Sequence, residues 1–275
     1  MRRNRMLVVG GAVALILILI TIGIYLLPTH AKPSSVTTTP PASSRYWIMT
    51  KAVLAEMTAN PTARATLARD TMYALAYNPS DATAAEHGLR IIPAKSYKSE
   101  AQFASDVAAH KIPAYVRAIL YDNEPWHLTP SAEKQDPVRY YKMAYALAHA
   151  HGYTLIAAPV PNTIDPSIAP YADVIDVQAQ YAQATAKTYL AAVEGTILKV
   201  KQANAHVTVL SGLSTNPTAG DPTWQQLTNI AHATFPHLTS GWWLNIPNPG
   251  TACPRCQQPR PDTALSFLKA LGPVR

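Results

Sequence analysis

Apolar positions in this chain fall into two regimes. Residues 6–27 form one uncharged run of 22 residues rich in Val, Ile and Leu. Beyond residue 45 the apolar positions come in short runs, at 72–77, 89–92, 115–121, 154–158, 174–177, 207–210 and 242–246. These read as seven strands. Helical spacing fills most of the gaps: 99–110 opens on Ser-x-x-Gln, 137–151 stops at Gly152, and 186–203, 222–233 and 261–271 follow. A serine start and a glycine stop are the expected helix boundaries. Residues 46–69 read as helical with a break near Pro61, although 46–49 is also the candidate for an eighth strand. Strands alternating with helices of about 10–15 residues imply βα units and a parallel sheet. No glycine-rich phosphate loop follows any strand, which disfavours a dinucleotide-binding sheet. The expected fold class is therefore α/β, a (β/α)8 TIM-type barrel, complete or one strand short; an open doubly wound sheet is the alternative.

The long apolar run changes this picture at the N-terminus. Twenty-two residues suffice to cross a hydrocarbon core as a helix. Arg2, Arg3 and Arg5 precede the run and favour a cytoplasmic N-terminus. Signal-peptide cores are shorter, about 7–15 residues, which favours an uncleaved anchor. Thr29-His30-Ala31 offers a small-residue cleavage site for the alternative. Residues 28–45 carry Thr, Ser, Ala and Pro with almost no large apolar side chain, the composition of an extended stalk. The expected organisation is an anchor or signal over 1–27, a stalk over 28–45, and a barrel over 46–275. Its location would be the cell membrane, single-pass, with the domain outside the cytoplasm, or secreted if the segment is removed.

The net charge is +7, and setting aside the three N-terminal arginines lowers it to +4. Charged residues are 14% of the chain and form no basic stripe, so nucleic acid is not an expected partner. The expected partners are the membrane, through residues 6–27, and a carbohydrate. The two cysteines, Cys253 and Cys256, stand in Cys-Pro-Arg-Cys. Outside the cytoplasm a local disulfide is the default; one pair is half of a zinc set. The nine histidines show no ligand spacing, and neither metal nor cofactor is expected.

In a barrel of this kind chemistry sits where strands end. The sharpest strand end is Ala118-Ile119-Leu120-Tyr121-Asp122-Asn123-Glu124-Pro125-Trp126. Residues two apart on a strand share a face, so Asp122 and Glu124 are expected in one pocket. Adjacent carboxylates resist joint ionisation, and the one that keeps its proton serves as an acid at neutral pH. Trp126 offers a ring for stacking a sugar. Equally, Asp122 would serve as a turn cap and Glu124 as an ion-pair partner. On the strand at 174–177, alternation places Asp176, Gln178 and Gln180 together, suiting either a ligand cavity or a self-satisfied polar interior. Tyr181 follows. In Gly241-Trp242-Trp243-Leu244-Asn245 one tryptophan is expected in the lumen and one against the helices.

These three segments, in this order, resemble the family-18 glycoside hydrolases of the plant class III chitinase type. That family ends a barrel strand in Asp-x-x-Asp-x-Asp-x-Glu, and its last two acids match Asp122 and Glu124. Its first two fall on Arg117 and Leu120. Its Leu-Thr-Ala-Ala-Pro matches Leu155-Ile156-Ala157-Ala158-Pro159, and its Val-Gln-Phe-Tyr matches Val177-Gln178-Ala179-Gln180, where Gln180 stands for the tyrosine unless Tyr181 substitutes. Trp242 and Trp243 are the candidates for the tryptophan beneath the sugar. The resemblance implies Glu124 as general acid and Asp122 as its helper, with Asp176 as the further strand carboxylate. The chain also resembles a set of exported proteins of no assigned activity that share Tyr-Asp-Asn-Glu-x-Trp-x-x-Thr-Pro, here Tyr121 to Pro130, and a late Cys-Pro-Arg-Cys. The expectation is a membrane-anchored, glycoside-hydrolase-like barrel acting on or binding a polysaccharide. A non-catalytic glycan-binding or scaffold barrel is the alternative.

Overall fold

The computed structural model describes residues 44–159, 164–215, 221–250 and 256–274. Eight parallel strands close into a barrel in chain order: β1 (Tyr46–Thr50), β2 (Thr71–Leu75), β3 (Arg90–Tyr97), β4 (Ala118–Tyr121), β5 (Thr154–Ala157), β6 (Val174–Val177), β7 (Thr208–Ser214) and β8 (Gly241–Asn245). Helices run between and around them: α1 (Lys51–Ala59), α2 (Pro61–Leu67), α3 (Glu100–Ala108), α4 (Ser131–Gln135), α5 (Pro137–Ala150), α6 (Ala186–Ala203), α7 (Trp224–Thr234) and α8 (Pro261–Leu271). The barrel is complete, and the open sheet is excluded.

The eighth strand is β1, from a segment whose first residues also read as helix. Alternation decides it. Trp47 and Met49 join the core between sheet and helices, while Ile48 joins the core inside the barrel. The helix starts only after Thr50, whose hydroxyl accepts from the Val53 amide. Asn60 then caps α2 through the amides of Thr62 and Ala63, with Pro61 at the first helical position. The break read at Pro61 is thus a second helix start.

Two cores follow from the two faces of the sheet. The outer one packs Trp47, Trp242, Phe103, Tyr141, Tyr189 and Phe267 between strands and helices. The inner one fills the lumen with residues such as Ile48, Tyr73, Leu120, Ile156, Leu210 and Trp243. The base of the barrel is tied by a buried ion pair. Arg45 is 3% exposed, and its Nε donates to Asp70 Oδ2 at 2.9 Å. The same oxygen accepts from Trp47 Nε1 at 2.8 Å, and the Arg45 guanidinium reaches the carbonyls of Thr66 and Gly272. Arg45, which composition groups with the stretch before the domain, is therefore built into the barrel.

Residues 1–43 lie outside the described residues, and with them the apolar run at 6–27. Among the described residues no helix is long and apolar enough to cross a membrane. Cys253 also lies outside them, so its pairing with Cys256 is not described.

The closing seam between β8 and β1 depends on Gly241. Its φ is +155°, and a Cβ built there would lie 1.8 Å from the carbonyl oxygen of Tyr46. Backbone cannot yield as a side-chain tip does. Gly241→Ala is expected to destabilise the barrel by about 3 kcal/mol or more, within the upper tail of single substitutions. Chemical denaturation followed by circular dichroism measures it; a change near zero would mean that the seam tolerates a side chain.

Candidate active site

The carboxylates meet because β4 keeps alternating past its last residue. The Asp122 amide donates to the Tyr97 carbonyl at 2.9 Å, extending the ladder to β3. Asp122 and Glu124 then follow Leu120 onto the lumen side, while Tyr121 and Asn123 turn outward. Asp122 is 2% exposed and Glu124 is half-buried.

Gln178, just beyond β6, reaches across to both acids. Its Nε2 lies 3.1 Å from Asp122 Oδ1, 2.7 Å from Glu124 Oε1 and 2.7 Å from the Ala158 carbonyl. The two acid oxygens are therefore no farther apart than those two bonds laid end to end. Lys98, just past β3, supplies the cation: its Nζ forms an ion pair with Asp122 Oδ2 and sits 4.8 Å from the centre of the Trp126 ring. Trp126 is fixed in turn by its Nε1, which donates to Thr129 Oγ1 at 3.0 Å.

Electrostatics separates the two acids. Burial pushes the Glu124 carboxyl up to about 8; the charge of Asp122 and a hydrogen bond with it add to this, and Gln178 and Lys98 only partly oppose it. At pH 7 Glu124 accordingly holds its proton beside Asp122, whose carboxylate Lys98 engages.

Asp176 lies deeper on β6. It is wholly buried, and neither carboxyl oxygen has a hydrogen-bond partner among the described residues. Burial first, then the charges of Asp122 and Glu124, hold it well above the ordinary carboxylate range. It reads as a neutral acid beneath the pair.

The remaining expected residues divide. Trp243 faces the lumen at 9% exposure, and its Nε1 has no partner among the described residues. Trp242 faces the helices, 5.1 Å from Trp47 between ring centres, and donates to Thr234 Oγ1; it is a packing residue. The Gln180 side chain lies against the bare backbone of Gly212, where an added Cβ would meet it at 2.4 Å. Tyr181 is 48% exposed on the rim. Asn245 is half-buried at the end of β8, its carbonyl accepting from the Thr215 amide. Asp122, Glu124, Asp176, Gln178 and Trp126 thus share one constellation, with Trp243 and Gln180 in the same lumen.

Sequence reasoning missed Lys98. The apolar run at 89–92 ended that strand too early, because Pro93, Lys95 and Ser96 break the hydrophobic pattern; β3 in fact continues to Tyr97. Two-residue alternation from Ser96 was the signal that points to Lys98. Asn123 and Glu133, described below, gave no signal of their own. A hollow at the opposite end of the barrel is bordered by Tyr46, Tyr73, His149 and Asp173. Its one carboxylate is already engaged, by His149 at 2.9 Å and the Leu155 amide at 2.7 Å. Among the described residues no group of acids, histidines or cysteines is arranged to hold a metal ion.

No family model and no curated relative matches the chain. Similar solved structures include a chitinase from Chromobacterium violaceum ATCC 12472, at 10% identity over 82% of this chain and 99% of that one, TM-score 0.49. They also include a family 17 β-1,3-glucanosyltransferase from Rhizomucor miehei, at 13% identity over 63% and 74%, TM-score 0.42. A third is the HMG-CoA lyase from Brucella melitensis, at 10% identity over 84% and 90%, TM-score 0.47. A fold alone assigns no function. The functional reading rests on the residues.

The raised Glu124 makes a stability prediction with a definite sign. Its folded-state value exceeds the unfolded one, so the native state binds the extra proton between about pH 4.5 and 8, and stability falls as pH rises through that window. Glu124→Gln removes the penalty. The variant is expected to melt higher than the parent at pH 8–9, with the gap narrowing towards pH 5. A variant that melts lower than the parent at pH 9 would contradict a raised Glu124.

Proposed function

We propose that this protein is a membrane-anchored, extracytoplasmic glycoside-hydrolase-like barrel that acts on a polysaccharide. The observation that carries the reading is a carboxyl pair, Glu124 and Asp122, that shares the Gln178 amide at the mouth of a barrel, where burial and its neighbour push Glu124 up to about 8. Glu124 protonates the glycosidic oxygen as the bond breaks, and its raised value suits a general acid working near neutral pH. Trp126 and Trp243 offer faces for the sugar rings.

The spacing of the two acids bears on the route. An inverting pair leaves room for water, at about 6.5–9.5 Å between carboxyl groups. Asp122 and Glu124 share one amide donor and are too close for that. A retaining route needs a nucleophilic carboxylate about 5 Å away or a substrate acetamido group that attacks its own ring. Asp176 is buried away from the substrate side, and Asp122 is already engaged by Lys98 and Gln178. Substrate assistance, with Asp122 orienting the acetamido group, is the route these contacts favour.

A second reading has its own support. Leu120, an apolar lumen residue, stands where the resembled family carries an inner aspartate. That favours a barrel which binds a glycan without cleaving it. The apolar run at 6–27 and the Cys253–Cys256 pair, as a disulfide, support an extracytoplasmic site for either.

Because Arg45 belongs to the barrel, the test uses the full chain in detergent. It is incubated with a panel of acetylated and non-acetylated polysaccharides, and new reducing ends are counted. Cleavage that falls at least 100-fold in Glu124→Gln, the low end for a general acid, is expected. Binding without cleavage, equal in parent and variant, would establish the scaffold reading instead.

A further inference from the structure

A buried carboxylate on the far side of the barrel wall holds the residues next in sequence to Lys98 and to Asp122. Glu133, on α4, is 2% exposed. One of its oxygens accepts from Ser99 Oγ at 2.8 Å, the other from the Glu100 amide at 2.8 Å and from the Tyr121 hydroxyl at 2.6 Å. Ser99 caps α3 and directly follows Lys98. Tyr121 directly precedes Asp122, and its hydroxyl also accepts from Asn123 Nδ2 at 3.0 Å. The same Nδ2 donates to the Glu133 carbonyl at 2.9 Å.

The consequence follows from alternation. Asn123 lies between Asp122 and Glu124, and pinning it outward forces both neighbours inward. Ser99 and Glu100, held by the same carboxylate, fix the start of α3 and so the place from which Lys98 reaches Asp122. Dipole and hydrogen bonding explain why an acid serves here: the first amides of α3 lack partners and favour a negative charge. The charged groups that bear on the two acids are few. Glu100 faces Glu133, and Asp122, Asp176 and Lys98 surround Glu124.

We propose that Glu133 is the positioning residue of this site, holding Lys98, Asp122 and Glu124 in register from behind the barrel wall through Ser99, Tyr121 and Asn123. The inference rests on the reading of Glu124 as the acid. It differs from a stability role in one respect. Loosening the brace lets Glu124 turn towards water and away from Asp122, which removes the two largest reasons for its retained proton.

Glu124 titration reads this directly and needs no substrate. The chain has only six glutamates, so carbon-13 at their side-chain carboxyls gives a resolvable spectrum, with Glu124→Gln assigning the signal. The full chain in detergent is titrated as parent, Glu133→Gln, Asn123→Ala and Tyr121→Phe. The last removes one hydroxyl, costs about 1 kcal/mol, and remains folded if the others do not. Thr66→Ala, in the base of the barrel, is the control that lowers the melting temperature without touching the brace.

The parent midpoint is expected near 8. It should fall by about one pH unit or more in Glu133→Gln and Asn123→Ala, and by less in Tyr121→Phe, towards the ordinary glutamate value. Thr66→Ala should leave it in place. Melting temperatures that drop while the midpoint stays near 8 would overturn the positioning role alone. A parent midpoint in the ordinary range would overturn both this inference and the reading of Glu124 as the acid.

Discussion

Among the described residues, Asp122 and Glu124 at the mouth of this barrel and Asp176 beneath them have one ammonium group, Lys98, between them, and that imbalance governs the site. Lys98 pairs with Asp122 and only partly offsets the raised Glu124, and among the described residues no second cation bears on Glu124 or Asp176. Burial removes the alternative of solvation by water. An ionised acid without partner or water is costly, so the group keeps its proton instead. Gln178 reinforces the arrangement by donating to both Asp122 and Glu124, which fixes them as a pair. The chemistry assigned to Glu124 thus follows from its burial first and from the neighbouring Asp122 second.

The barrel supplies the geometry this requires. Strand alternation delivers Asp122, Glu124, Asp176 and Gln178 to one side of the sheet, and closure brings β4 and β6 close enough for Gln178 to bridge them. Arg45, Asp70 and Trp47 tie the opposite end, where a buried ion pair is strongly destabilised by loss of either partner. The site itself is braced from outside by Glu133, so the wall between lumen and helices carries positional information in both directions. A rigid scaffold beneath and a polar brace behind allow the acids to sit in an environment that disfavours their charge.

Much of this was legible in the sequence, for reasons that differ by residue. The strand at 174–177 was placed residue for residue, since Val-Ile-Asp-Val is uniformly buried and sharply bounded. The helices 186–203 and 261–271 are likewise read at their observed limits, from their place between the apolar runs. One tryptophan of Trp242-Trp243 faces each way, as period-two alternation requires. The first strand was ambiguous because Tyr46–Thr50 runs without a turn into a helix, and only the Thr50 cap separates them. Strand β3 was cut short because its lumen side is polar near the top, where hydrophobic pattern ceases to mark a strand. Glu133 was illegible because its role depends on contacts 12 to 34 residues away, to Tyr121 and Ser99; neither periodicity nor a motif encodes such a bond.

The central claim is that Glu124 carries a proton at neutral pH. Infrared difference spectroscopy between the parent and Glu124→Gln at pH 7 tests it most directly, because a protonated carboxyl and an ionised one absorb in separate regions. Asp176 is present in both proteins and cancels. The account predicts that the parent shows the carbonyl stretch of a neutral acid that the variant lacks. A difference spectrum that instead shows the loss of a carboxylate band would contradict it.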